Sequence, residues 1–97
     1  MHRPKRVWNE QVMKELSGMG GQSITEHEFI SGILQTFGIE NTNANYAGMR
    51  HVVSVAFRGY SVAAGVVVVD AAALEYNPSA SIGLSAKHLV STLTKWS

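Results

Sequence analysis

Four polar side chains that can read nucleic-acid bases lie close together in the middle of the chain. Asn43 and Asn45 are followed by Arg50 and His51. An asparagine amide pairs with the edge of adenine, and an arginine guanidinium pairs with the edge of guanine. These residue types in one short stretch indicate a surface that could contact DNA bases.

Further basic residues stand where they could hold a phosphate backbone. Arg58 follows the central stretch, and the N-terminal segment His2–Arg6 is a short basic arm. Phosphate contacts fix a protein on DNA, and basic arms can enter the minor groove. The candidate nucleic-acid-binding residues are therefore Arg3, Lys5, Arg6, Asn43, Asn45, Arg50, His51 and Arg58.

The same stretch has a simpler interpretation. Asparagines are frequent in turns, so Asn41–Asn45 is also explained as a loop, with Arg50 and Arg58 as solvated charges on an ordinary α+β domain. The formal net charge is only +1, and nucleic-acid-binding surfaces usually carry a stripe of basic residues. Both interpretations stay open on the sequence alone.

No pattern in the sequence predicts catalysis, a metal site or a cofactor. The chain has no cysteine, and His2, His27, His51 and His88 are far apart in sequence. Asp70, the only aspartate, has no nucleophile and base at a useful spacing. We therefore predict a non-enzymatic protein with no catalytic residue, no metal and no cofactor.

The glycine-rich segment Ser17–Ser23 stands before a predicted helix, where phosphates often bind. It follows a helix rather than a strand, and it contains no lysine. These features favour a helix stop and a connector.

Two N-terminal helices are predicted from spacing and capping signals. Apolar side chains recur at helical spacing over Lys5–Ser17. Thr25 and Glu28 have the spacing of a capping box at the start of a second helix, and Gly38 followed by Ile39 is suited to a Schellman stop.

The segment Tyr46–Tyr60 fits both a helical and a strand period. The asparagines before it favour a short third helix over Thr42–His51. The valines that follow favour a strand over Val52–Tyr60, because β-branched side chains lose freedom in helices.

A turn within Gly59–Gly65 and a strand over Val66–Val69 are expected to complete a β-hairpin. The unbroken valines indicate burial on both faces of that strand, or one face offered to a second subunit. Ala71–Tyr76 is expected to form either a third short strand or a helical turn.

The predicted fold class is α+β, with three N-terminal helices, a β-hairpin and a C-terminal helix over 85–96. This is the order of elements in winged helix-turn-helix domains. The 97 residues are expected to form a single domain, 1–97, including a basic arm at 1–6. The longest apolar runs are far shorter than the ~20 residues of a membrane-spanning helix, and no secretory signal follows the basic N-terminus. A cytoplasmic protein with no membrane partner is therefore expected.

Sparse charge points to a covered surface. Charged residues make up 15% of the chain, which is explained either by a homo-oligomer or protein partner that covers part of the surface, or by serine, threonine, asparagine and glutamine side chains that solvate it instead. The candidate interface residues are Tyr60, Val67 and Trp96, in a homodimer formed through the C-terminal helix or the hairpin.

Two functions fit these features. The order of elements favours a small non-enzymatic DNA-binding regulatory protein of winged helix-turn-helix type, with double-stranded DNA as its partner. The alternative is a protein–protein interaction module (an adaptor, inhibitor or assembly subunit) that acts through a sheet edge or the C-terminal helix. Convergence of the basic residues on one face would indicate DNA; scatter would indicate solvation.

Overall fold

The structure is a computed structural model that describes residues 8–19 and 22–77. Within these residues, helices precede strands along the chain, which confirms the α+β class. The elements are α1 (Trp8–Ser17), α2 (Glu26–Thr36), α3 (Asn43–Ala56), β1 (Phe57–Arg58), β2 (Tyr60–Ala63), β3 (Val66–Val69) and β4 (Glu75–Tyr76). The predicted arm at 1–6 and the predicted helix at 85–96 lie outside the described residues.

The capping signals of α2 act as predicted. The Thr25 hydroxyl accepts a hydrogen bond from the Glu28 backbone N–H at 3.1 Å, and the Glu28 carboxylate accepts one from the Thr25 backbone N–H at 3.1 Å. After α2, Gly38 has a φ of 65°, and the Ile39 N–H donates to the Leu34 carbonyl at 2.9 Å. Both the capping box and the Schellman stop are therefore confirmed.

Helix α3 is longer than its sequence predicts. It begins after Thr42, whose hydroxyl accepts from the Asn45 backbone N–H at 3.0 Å, and it continues to Ala56. The predicted strand over Val52–Tyr60 is therefore wrong as far as Ala56. Val52 and Val53 lie on the buried face of the helix, and burial there outweighs the small helical cost of β-branched residues.

The β-hairpin consists of β2 and β3 in antiparallel register, with Tyr60 opposite Val69 and Ala63 opposite Val66. Ala64 and Gly65 form the turn with φ of 53° and 77°, as a two-residue type I′ turn requires. The turn and the strand over Val66–Val69 are thus as predicted.

The base of the hairpin is closed by a second strand pair. Strand β1 pairs antiparallel with β4, so the alternatives left open for Ala71–Tyr76 resolve into a turn followed by a short strand. Gly59 stands between β1 and β2, and its carbonyl accepts from the Asp70 N–H at 2.8 Å.

The connection between α1 and α2 covers one edge of this hairpin. The Val67 N–H donates to the Ile24 carbonyl at 2.8 Å, and the Glu26 N–H donates to the Gly65 carbonyl at 2.9 Å. Thr25 forms an antiparallel bridge with Val66. These contacts fix the hairpin against the start of α2.

The core lies between the three helices and the inner face of the hairpin. Its buried side chains are Trp8, Val12, Leu16, Phe29, Ile30, Ile33, Leu34, Phe37, Met49, Val52, Val53, Ala56, Phe57 and Val67. Val67 is 7% exposed, whereas its neighbour Val68 is 45% exposed. The valine strand therefore has one buried and one exposed face. Of the two alternatives for this strand, burial on both faces is wrong, and one face offered to a second subunit stays a prediction.

No helix among the described residues is long and apolar enough to cross a membrane.

Candidate functional site

A groove of about 460 Å³ lies between the exposed face of α3 and strand β2. One wall is helical, the other is the hairpin, and the first residue of α2 also lines it. The lining residues are Glu26, Ala47, Arg50, His51, Ser54, Tyr60, Ser61 and Val62. The volume is within the range of ligand-binding pockets.

An ion pair links α2 and α3 at the groove. Arg50 Nε lies 3.4 Å from Glu26 Oε2, and the two side chains are 60% and 20% exposed. Such a partly exposed pair contributes little to stability, on the order of 1 kcal/mol or less. Its main effect is to place a carboxylate beside the guanidinium, so the net charge of the pair is zero.

Two tyrosines pack beside the ion pair. Burial, followed by the nearby Glu26 carboxylate, raises the pKa of Tyr60 to about 12, and the same two causes raise the pKa of Tyr46. The Tyr60 ring packs against Phe29 with centroids 5.6 Å apart, and its hydroxyl oxygen is buried without a hydrogen-bond partner among the described residues. Both phenols therefore remain neutral at physiological pH.

Two asparagines near the start of α3 form local hydrogen bonds. The Asn45 side-chain amide donates to the Glu40 carbonyl at 2.8 Å, and the Asn41 amide donates to the Ser31 hydroxyl at 3.1 Å. Asn43 is exposed at the first position of α3. The interpretation of Asn41–Asn45 as a loop is therefore wrong from Asn43 onward, because Thr42 caps α3 and both Asn43 and Asn45 lie in its first turn.

The structure brings together only some of the candidate residues. Arg50, His51 and Tyr60 line the groove. Arg58 is exposed in β1, where its register partner is Glu75. Val67 packs in the core of its own chain. Arg3, Lys5, Arg6 and Trp96 lie outside the described residues.

The charges of the described residues are predominantly acidic. All seven acidic residues of the chain lie there, but only Lys14, Arg50 and Arg58 of its eight lysines and arginines do, so the formal charge of this part is −4 with neutral histidines. The other basic residues fall at 1–7 and 78–97. Of the three described lysines and arginines, only Arg50 lines the groove.

Strand β2, three residues of which line this groove, has an open edge. Successive residues of an antiparallel strand alternate between pairs that exchange hydrogen bonds with the partner strand and pairs that do not. Ala63 and Val66 flank the two-residue turn and exchange hydrogen bonds with each other. By this alternation, Ser61 also exchanges hydrogen bonds with its partner on β3. The N–H and C=O groups of Tyr60 and Val62 therefore point away from β3.

Two observed hydrogen bonds fix this alternation. Gly59 lies two residues before Ser61, so it is also at a hydrogen-bonded position, and its carbonyl accepts a hydrogen bond from the Asp70 N–H. Val67 is opposite Val62 in a non-bonded pair, and its N–H points outward to Ile24. The corresponding outward groups of Tyr60 and Val62 have no hydrogen-bond partner among the described residues.

Sequence reasoning missed Glu26, Ser61 and Val62 as groove residues. The signal for the two hairpin residues was the Ala64-Gly65 pair, because a type I′ turn fixes which strand residues face outward. No feature of the sequence identifies Glu26 as a groove residue, since its position depends on how α2 packs against α3.

The described residues hold no group of three or more histidine or acidic side chains that could bind a metal ion.

Comparison of the chain with protein-family models, with curated proteins and with solved structures finds no match.

Proposed function

We propose that this chain is a protein–protein interaction module that acts through the open edge of β2. The observation that carries the proposal is the pair of outward-facing residues, Tyr60 and Val62, whose backbone N–H and C=O groups have no partner in the described part of the chain. An extended segment of a partner can add to such an edge as a further strand.

The composition of the hairpin supports this function. Free edges in natural proteins are usually protected by charged side chains, by proline or by a bulge. The segment Tyr60–Val69 contains no charge and no proline, and Ser61 and Val62 are exposed. This four-residue edge thus lacks charge and proline, two of the features that block strand addition.

Site-specific photocrosslinking tests the proposal. A photoreactive amino acid at Val62 is expected to form covalent adducts with protein in the native cells, and mass spectrometry then identifies the partner and the crosslinked residue. The matched control has the same amino acid at Gln35, which is exposed on the last turn of α2 and does not line the groove.

The expected result is an adduct at position 62 that maps to one extended segment of the partner and is absent at position 35. The absence of any protein adduct at position 62, including one with a second copy of the chain, would contradict the interaction function.

A second candidate function is DNA binding of the winged helix-turn-helix type. It is favoured by the order of three helices before a hairpin, and by the exposed side chains of Asn43, Arg50 and His51 on α3. The acidic charge of the described part and the neutralisation of Arg50 by Glu26 make it the weaker candidate.

The Arg50–Glu26 pair provides a test of DNA binding. Fluorescence anisotropy with a labelled random-sequence duplex at ~50 and ~200 mM salt detects contact with phosphates by its salt dependence. If α3 binds DNA, Arg50→Ala weakens the affinity, and Glu26→Gln strengthens it by releasing the guanidinium. Gln35→Ala is the control, and absence of binding at both salt concentrations would exclude this function.

A further inference from the structure

We infer that the strand added to β2 is the β2 strand of a second copy of this chain. The two copies are related by a two-fold axis that passes between their Ser61 residues. This inference rests on the proposed function and identifies the partner. It specifies both the pairing register and the shape of the assembly, a continuous four-stranded antiparallel sheet in the order β3, β2, β2 and β3.

The spacing of the outward groups makes the edge complementary to itself. Tyr60 and Val62 are the outward-facing residues of β2, and they stand two positions apart with Ser61 between them. In an antiparallel pair centred on Ser61, Tyr60 of one copy faces Val62 of the second copy and exchanges two hydrogen bonds with it. The two-fold axis repeats this pair, so the outward N–H and C=O groups of Tyr60 and Val62 are satisfied in both copies.

Other registers leave part of the edge unpaired. A shift by two residues in one direction places Tyr60 opposite Tyr60 and moves the pairing onto Arg58, beyond the break in the strand at Gly59. A shift in the other direction places Tyr60 opposite Ala64, which is part of the turn. The register centred on Ser61 is therefore the one that uses both outward residues.

The charge and size of the surrounding side chains fit a second copy. Identical surfaces meet at a two-fold axis, so any charge close to the axis would face its own copy. Strand β2 has none, and the charged groove residues Arg50 and Glu26 pair with each other. The helical wall of the groove also contains the small residues Ala47 and Ser54, which leave space for an incoming strand. An edge selected for a charged partner would instead carry the opposite charge.

Sedimentation velocity of the full chain between about 1 and 300 µM tests whether the dimer forms. The expected result is a concentration-dependent species of twice the 10.5 kDa chain mass. Val62→Pro removes an outward N–H without breaking the bonds between β2 and β3, and it should raise the dimer dissociation constant at least about tenfold. Val68→Thr, on the exposed face of β3 away from the open edge, should leave that constant unchanged.

Cysteine crosslinking tests the register and does not depend on whether the proline variant folds. Ser61→Cys places two sulfurs across a non-bonded antiparallel pair, where side chains are closest, so mild oxidation should join the two copies. Ala63→Cys is the control, because its counterpart in this register lies four residues further along the strand, about 13 Å away. The natural chain has no cysteine, so neither variant has a competing thiol.

A monomer at all concentrations would overturn the inference, as would equal crosslinking of the two cysteine variants. Photocrosslinking at position 62 separates this failure from failure of the proposed function. Adducts with a different protein but none with the chain itself would retain the interaction function and exclude the second copy as its partner.

Discussion

The two edges of the hairpin differ in what satisfies their backbone groups. The outer edge of β3 is covered at its Val66–Val67 end, since the Val67 N–H donates to Ile24 and Thr25 bridges Val66. The outer edge of β2 has the same alternation of backbone groups, yet Tyr60 and Val62 find no hydrogen-bond partner among the described residues. The covered edge anchors the hairpin to the helices, and the open edge is left for binding. Whether a hairpin strand anchors the hairpin or is left for binding thus depends on the segment beside its outer edge more than on its own residue types.

The largest expected effect comes from disrupting the anchored strand. Val67→Asp places a carboxylate at a buried position of the core, where no cation of the described residues packs, and should reduce the free energy of unfolding by about 3–5 kcal/mol. Chemical denaturation followed by circular dichroism measures this loss.

Val68→Asp is the matched control for that substitution. Val68 is the next residue on the same strand, but it is 45% exposed, so the change should stay within about 1 kcal/mol. Equal stability of the two variants would contradict the assignment of Val67 to the core and of Val68 to the exposed face.

A smaller loss is expected at the base of the hairpin. Gly59 has a φ of 81°, and a Cβ there would lie 2.7 Å from the Leu74 backbone nitrogen and 2.8 Å from the Asp70 carbonyl oxygen. Gly59→Ala therefore combines left-handed strain with a backbone clash and should cost at least ~2 kcal/mol. Thermal unfolding of the variant measures the effect.

Gly65→Ala separates the two causes. Gly65 has a similar φ of 77°, but a Cβ there has open space around it. Gly65→Ala therefore incurs only the cost of placing alanine in a left-handed backbone conformation, about 1 kcal/mol. A cost at Gly59 no greater than that at Gly65 would show that the close approach of residues 70–74 does not constrain the fold.

The parts of the fold that were predictable depend on local rules. The capping box of Thr25 and Glu28 and the stop at Gly38 are set by residues a few positions apart, so the sequence identifies them directly. The end of α3 was misplaced because Val52 and Val53 suit a strand locally, and only their packing against the helical core keeps them in a helix.

The candidate site was less predictable for the same reason. Its groove joins Glu26, Arg50 and Val62, which are distant in sequence, and the neutralisation of Arg50 by Glu26 follows from helix packing. Residue types alone made Arg50 a candidate for reading bases. Its surroundings in the structure, an ion pair within an acidic part of the chain, favour another use of this surface.

The smallest expected effect comes from removing the hydroxyl of Tyr60. This change distinguishes the contribution of the Tyr60 side chain from that of its backbone at the open edge of β2. Its hydroxyl oxygen is buried without a described partner, while its ring contacts Phe29. Tyr60→Phe keeps the ring and removes the unpaired oxygen, so stability at neutral pH should change by no more than about 0.5 kcal/mol or increase. Dimerisation should be unchanged, because the proposed pairing uses the backbone of Tyr60.

The same variant should alter the behaviour of the protein at high pH. Burial raises the pKa of Tyr60 from 10.0 to about 12 in the folded chain, so folding favours the protonated phenol. Its contribution is fully present below pH 10 and is lost as the pH rises through 12, because the unfolded chain releases the proton first. Denaturation at a series of pH values should show the wild type losing stability over this window more steeply than Tyr60→Phe. Parallel curves would mean that the phenol is as accessible to solvent in the folded chain as in the unfolded one, and that the inner face of the open strand is not packed against the helices.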